Sequence, residues 1–124
     1  MSKGQDMTFI LGKDRVDLTV TITELGGDIF VMMNGGNSHA GAMAMAFLDS
    51  DGAPEVSSLV AKGHRDDIPA RLMAEEIAVG TGRRTAVVCG IHFDDITREE
   101  IENVMSLVRD ASRRAVSALT LKTF

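Results

Sequence analysis

The sequence predicts an α+β domain: a mainly antiparallel, mixed sheet of about six strands with two helices packed on it, in the order βββββαβα. Two observations carry this. Apolar residues recur at every second position through the first half of the chain, and at three- and four-residue spacing in the second. A short, wholly apolar run between the two helical stretches adds one late strand.

The elements follow in order. Met7, Phe9 and Leu11 alternate with other residues, and after a turn at Gly12-Lys13-Asp14 the strict alternation of Arg15 to Thr23 continues, so the two segments form a hairpin with one wet face. Gly26-Gly27-Asp28 makes the next turn, and Ile29 to Met33 forms a strand with apolar residues on both faces. Asn34 to His39 has the composition of a loop. Residues 42–48 alternate alanine with larger apolar residues, which fits a strand whose small face lies under a helix. After a turn at Asp49 to Pro54, Val56 to Ala61 supplies a fifth strand.

Ala70, Met73, Ala74 and Ile77 lie at helical spacing behind Pro69 and ahead of Gly80-Thr81-Gly82, predicting a helix over 68–79. Thr85 to Ile91 is the apolar strand, central or covered on both faces. Thr97 and Glu100 form a capping box that starts a helix running to about residue 118.

A chain of 124 residues with 44% hydrophobic content suits one domain, taken as 1–124. Cys89, the one cysteine, lies in an apolar run, so it reads as a small buried hydrophobe in a reducing, cytoplasmic setting. No membrane segment is expected from the hydropathy, and residues 1–6 lack the apolar stretch of a secretory leader. A net charge of −5 and the lack of Trp and Tyr argue against a nucleic-acid partner. Eight methionines fit either core gap-filling or an adaptable protein interface, and the apolar strand surfaces allow a homodimer.

The three histidines each stand beside a strand end. If strands four and five form a hairpin and the segment from Val56 to Ile91 is a parallel crossover, then His39, His64 and His92 share one rim. Ligands commonly bind at such strand-end crevices. His64-Arg65-Asp66-Asp67 and His92-Phe93-Asp94-Asp95 echo one another before the two helices. Imidazoles beside carboxylates suit a metal, but the aspartates are equally explained as helix caps and first-turn charges. Gly35 and Gly36 admit close approach of a phosphate or flat ring, or simply make a turn. Arg65 is the basic residue of these stretches. Arg109, Arg113 and Arg114 are expected to be a solvated face complementing the C-terminus of the last helix. No nucleophile elbow, Cys/His pair or triad spacing points to covalent catalysis.

The stretches from Gly35 to Ala42, Gly63 to Asp67 and Gly90 to Thr97, with Glu99-Glu100-Ile101, resemble the LpdD-like family over roughly residues 14–112. That resemblance implies a non-enzymatic prenylated-flavin chaperone or accessory subunit that binds prenylated FMN or delivers it to a UbiD-type decarboxylase. By motif position, the cofactor-contacting candidates are His39, His64, His92, Gly35, Gly36 and Arg65. Ala40-Gly41-Ala42-Met43 departs from the branched apolar residues expected there. The alternatives are a scaffold subunit without cofactor and a small metal-dependent enzyme using the His/Asp rim.

Overall fold

The computed structural model describes residues 6–121, so the reading of residues 1–5 lies outside the described residues. Eight elements follow in the predicted order: β1 (Asp6–Lys13), β2 (Val16–Leu25), β3 (Asp28–Gly36), β4 (Ala42–Leu48), β5 (Pro54–Val60), α1 (Asp67–Thr81), β6 (Thr85–His92) and α2 (Arg98–Leu121). Gly12 and Lys13 belong to β1, because the register pairs Lys13 with Val16 and leaves Asp14 and Arg15 as the turn. Between β2 and β3, Gly26 and Gly27 both take positive φ, as the two-residue loop favoured by strand twist requires.

The six strands form one sheet in the order β1-β2-β3-β6-β4-β5. β6 is parallel to β3 and antiparallel to β4, and it separates these two consecutive strands. Consequently β5 and β6 run parallel, one strand apart, with α1 as their crossover. Asn34, Gly35 and Gly36 are not a free loop but the last residues of β3. They pair with Gly90, Ile91 and His92, since β6 extends far enough to give their backbone partners.

Both helices cover one face of the sheet, α1 over β4, β5 and β6 and α2 over β1 and β2. Strict alternation sorts the strands accordingly. Leu18, Val20 and Ile22 of β2, Ile29, Val31 and Met33 of β3, and Val87 and Cys89 of β6 are buried against Met73, Ile77 and Val108. Ala44 and Ala46 present the small face of β4 to α1, as their alternation predicts. The other face bears no helix, and Phe30, Met32, Met43, Met45, Phe47 and Leu59 remain exposed there. The methionines therefore divide: Met33 and Met73 pack in the core, while those at 32, 43 and 45 face outward.

The capping box is present at α2. Glu100 N donates to Thr97 Oγ1 at 3.1 Å, and Thr97 N donates to Glu100 Oε1 at 3.0 Å. Glu100 also accepts a two-pronged bond from Arg15, at 2.7 Å from Nε and 2.9 Å from Nη2. This Arg15 hydrogen bond, aided by the Thr97 amide, lowers the Glu100 carboxyl to about 2. A carboxyl depressed in the folded state stabilises the fold above its unfolded value, and that contribution disappears as pH falls towards the folded value. The stability gap between wild type and Glu100→Gln is therefore expected to be constant at neutral pH and to shrink from about pH 4.5 to about pH 2. Urea denaturation across that range checks it; a gap independent of pH would contradict the clamp.

Arg109, Arg113 and Arg114 do not lie at a helix end. α2 continues to Leu121 and its last turn holds no basic residue. Arg113 instead pairs with Asp110, and Arg114 stands over the Phe9 ring at 5.7 Å from its centroid.

Candidate functional site

The strand directions bring one end of four strands together. β3, β5 and β6 finish at the same rim, and β4 starts there. Because β6 lies between β3 and β4, the link at residues 37–41 has to cross the end of β6. Two backbone bonds hold it there, from Asn37 N to His92 O at 3.0 Å and from Gly41 N to Cys89 O at 2.9 Å. The crossing is tight enough to demand glycine. A Cβ at Gly90 would lie 1.7 Å from the His39 carbonyl oxygen, and one at Gly36, where φ is +67°, would lie 2.0 Å from that of His92.

This crossing sets His39 between the other two imidazoles. Its ring centroid is 4.9 Å from that of His64 and 6.4 Å from that of His92. The three predicted histidines thus converge. Arg65 stands beside them, largely exposed, with its Nε 3.2 Å from Asp67 Oδ1. Gly35 and Gly36 lie at the same rim, where the missing Cβ at Gly35 lets the Asp17 carbonyl approach.

Asp66 takes the imidazole-facing role, not the capping role, of the two that its place in the sequence left open. It occupies the N-cap of α1 but makes no side-chain cap bond. Its buried carboxylate turns to the rim instead. Oδ1 accepts the Ile91 amide at 3.2 Å, while Oδ2 lies 3.2 Å from His39 Nε2 and 3.6 Å from His64 Nδ1. Gly41 makes room for it, since a Cβ there would come within 1.8 Å of Oδ2. The repeated His-x-Asp spacing was the available signal. It recurs structurally, for His92 Nε2 lies 3.2 Å from Asp94 Oδ1.

Concave surface adjoins the rim on both sides of the sheet. On the helix side a cleft of about 300 Å³ is walled by Ile68, Ile91, Ile96 and Ile101, with Arg65 and Asp66 at its edge. On the open side, one hollow of about 300 Å³ includes Gly35, Gly36 and Ser38, and another of about 280 Å³ includes Gly41 and Met43. Cys89 offers no nucleophile to any of them: burial, with a contribution from the Asp66 charge, pushes its thiol well above the ordinary range.

The family model for the prenylated flavin chaperone LpdD-like domain matches residues 12–120. The chain belongs to the LpdD-like family. The match takes in every rim residue and extends slightly beyond the span carried by the sequence motifs. A chaperone family implies a non-catalytic protein that serves a partner protein. Among curated proteins, none matches the sequence significantly.

Among solved structures, the LpdD-like chain resembles one from a crystal structure of a novel chaperone complex for yeast 20S proteasome assembly. That likeness has a TM-score of 0.66 at 15% identity and covers 92% of this chain and 96% of the other. At this identity the likeness shows the fold alone. Among the described residues, no helix is long and apolar enough to cross a membrane.

Proposed function

We propose that this LpdD-like protein binds prenylated FMN at the histidine rim and delivers it, in the cytoplasm, to a UbiD-type aromatic acid decarboxylase. The convergence of His39, His64 and His92 carries this reading, with two of the rings against Asp66, which also lines the isoleucine-walled cleft. Such a cofactor combines a flat, partly apolar ring system with a phosphate. Apolar walls suit the ring, and imidazoles suit phosphate or flavin oxygens because they donate hydrogen bonds. Arg65 supplies a fixed positive charge at the cleft mouth, and Gly35 and Gly36 keep the neighbouring rim low. An open, shallow site suits a carrier that must release what it holds.

His92 is the candidate to test first because its side chain is half exposed and can be removed without opening the core. His92→Ala is expected to weaken binding of prenylated FMN by about 10- to 100-fold, the loss typical of a charge-assisted hydrogen bond. Equilibrium titration under anaerobic conditions reads this directly. Unchanged affinity would remove His92 from the site.

A second reading concerns the bare sheet face. Its exposed Phe30, Met32, Met43, Met45, Phe47 and Leu59 form the kind of apolar surface that marks protein contact. A second copy of this chain is the occupant we favour, because Met32, Val88 and Met43, and next to them Phe30, Ala86 and Met45, lie in register across β3, β6 and β4 as an uncharged patch that can face its own duplicate. Sedimentation should give twice the 13.3 kDa chain mass for wild type and a shift towards one chain for Met32→Lys combined with Met45→Lys. A wild-type protein that sediments as one chain would overturn the homodimer.

A further inference from the structure

We propose that His39, His64 and Asp66 form a binding site for a divalent transition-metal cation of the zinc type. One donor atom from each side chain can be chosen so that all lie within 4.8 Å of one another. Tetrahedral zinc bound to nitrogen and oxygen at about 2.0–2.1 Å has donors about 3.3–3.4 Å apart. The two edges that meet at Asp66 Oδ2, 3.2 Å to His39 Nε2 and 3.6 Å to His64 Nδ1, bracket that spacing.

The hydrogen bonds around the cluster give an independent reason for a cation. His39 Nδ1 lies 2.8 Å from the Asn37 carbonyl oxygen, which can only accept, so Nδ1 carries the proton. A neutral His39 then directs the lone pair of Nε2 at a carboxylate oxygen 3.2 Å away. Two acceptors in that position need a proton or a cation between them. A proton on either partner bridges that one pair, whereas a metal ion engages His39, His64 and Asp66 together.

The outer contacts match those of ligands held for metal. A backbone carbonyl fixes the tautomer and direction of His39, and the Ile91 amide occupies Asp66 Oδ1 so that Oδ2 is left for the ion. Gly41 keeps the space beside Oδ2 clear. Two imidazoles and one carboxylate leave a coordination position for water or for an oxyanion, and two neutral rings with one carboxylate leave the ion a net positive charge. On the flavin-carrier reading, that position is where the cofactor's phosphate would attach, offsetting the acidity of Asp66, Asp67, Asp94 and Asp95.

The test uses untagged, chelator-stripped protein titrated calorimetrically with Zn²⁺ alone at neutral pH. One equivalent per chain is expected to bind and to raise the melting temperature. His64→Ala and Asp66→Asn are each expected to weaken binding by at least about 100-fold. His64 is exposed enough for its variant to fold, and circular dichroism of both variants verifies this. No saturable binding by the wild type, or equal binding by folded His64→Ala, would overturn the metal site. Measuring prenylated FMN binding on the same metal-free samples separates this outcome from failure of the carrier reading.

Discussion

Gly90→Ala is expected to destabilise the protein by about 3 kcal/mol or more, at the upper end of what overpacking costs. The added methyl would stand 1.7 Å from the His39 carbonyl oxygen and 2.5 Å from its carbonyl carbon, both backbone atoms that cannot rotate away. Relief requires lifting the 37–41 link off β6, which strains the Gly41 to Cys89 bond and carries His39 away from Asp66. Stability and ligand binding should therefore fall together. Gly52→Ala is the matching control: its φ of +83° is unfavourable for alanine, but no atom lies within 4 Å of the new Cβ. That change should cost only about 1–2 kcal/mol. Urea denaturation of the two variants decides the matter, and equal losses would mean that the tight crossing is absent.

The second large effect belongs to the core. Leu18→Ala should cost about 2–5 kcal/mol, since Leu18 is fully buried between β2 and the helix layer and its neighbours can collapse only partly. Thr19, the next residue, points to the uncovered side of the sheet and lines the hollow at Gly35 and Gly36. Thr19→Ala should change stability by less than about 0.5 kcal/mol. Denaturation midpoints at unchanged slope give both values. Similar losses at 18 and 19 would contradict a sheet covered on one face.

The alternation at Arg15 to Thr23 made this one-sided arrangement legible, as did the alanines at 42, 44 and 46, which need a helix close above them. Element order was legible because each change of spacing, from two to helical and back, coincides with turn residues or a cap. The insertion of β6 between β3 and β4 was not. Local spacing fixes what an element is, whereas its neighbours in a sheet depend on contacts far apart in sequence.

The site followed the same division. Hairpin and crossover directions sufficed to gather His39, His64 and His92 at one rim. Asp66 was missed as a central residue because an aspartate before a helix is ordinarily explained by capping, and only its actual bonds to Ile91 and towards two imidazoles show otherwise. Gly41 and Gly90 were likewise silent. Their importance comes from atoms of other segments that occupy the space of a missing side chain. Arg109, Arg113 and Arg114 are the solvated face expected of them, but they lie too far before Leu121 to complement the helix C-terminus.

Native mass spectrometry shows whether this chain carries prenylated FMN. The protein would be purified anaerobically after coexpression with a flavin prenyltransferase, with FMN alone as the control. A carrier should show a bound mass equal to prenylated FMN that is absent from the control and depleted in His92→Ala. A clean apo-protein mass despite available cofactor would contradict the carrier reading.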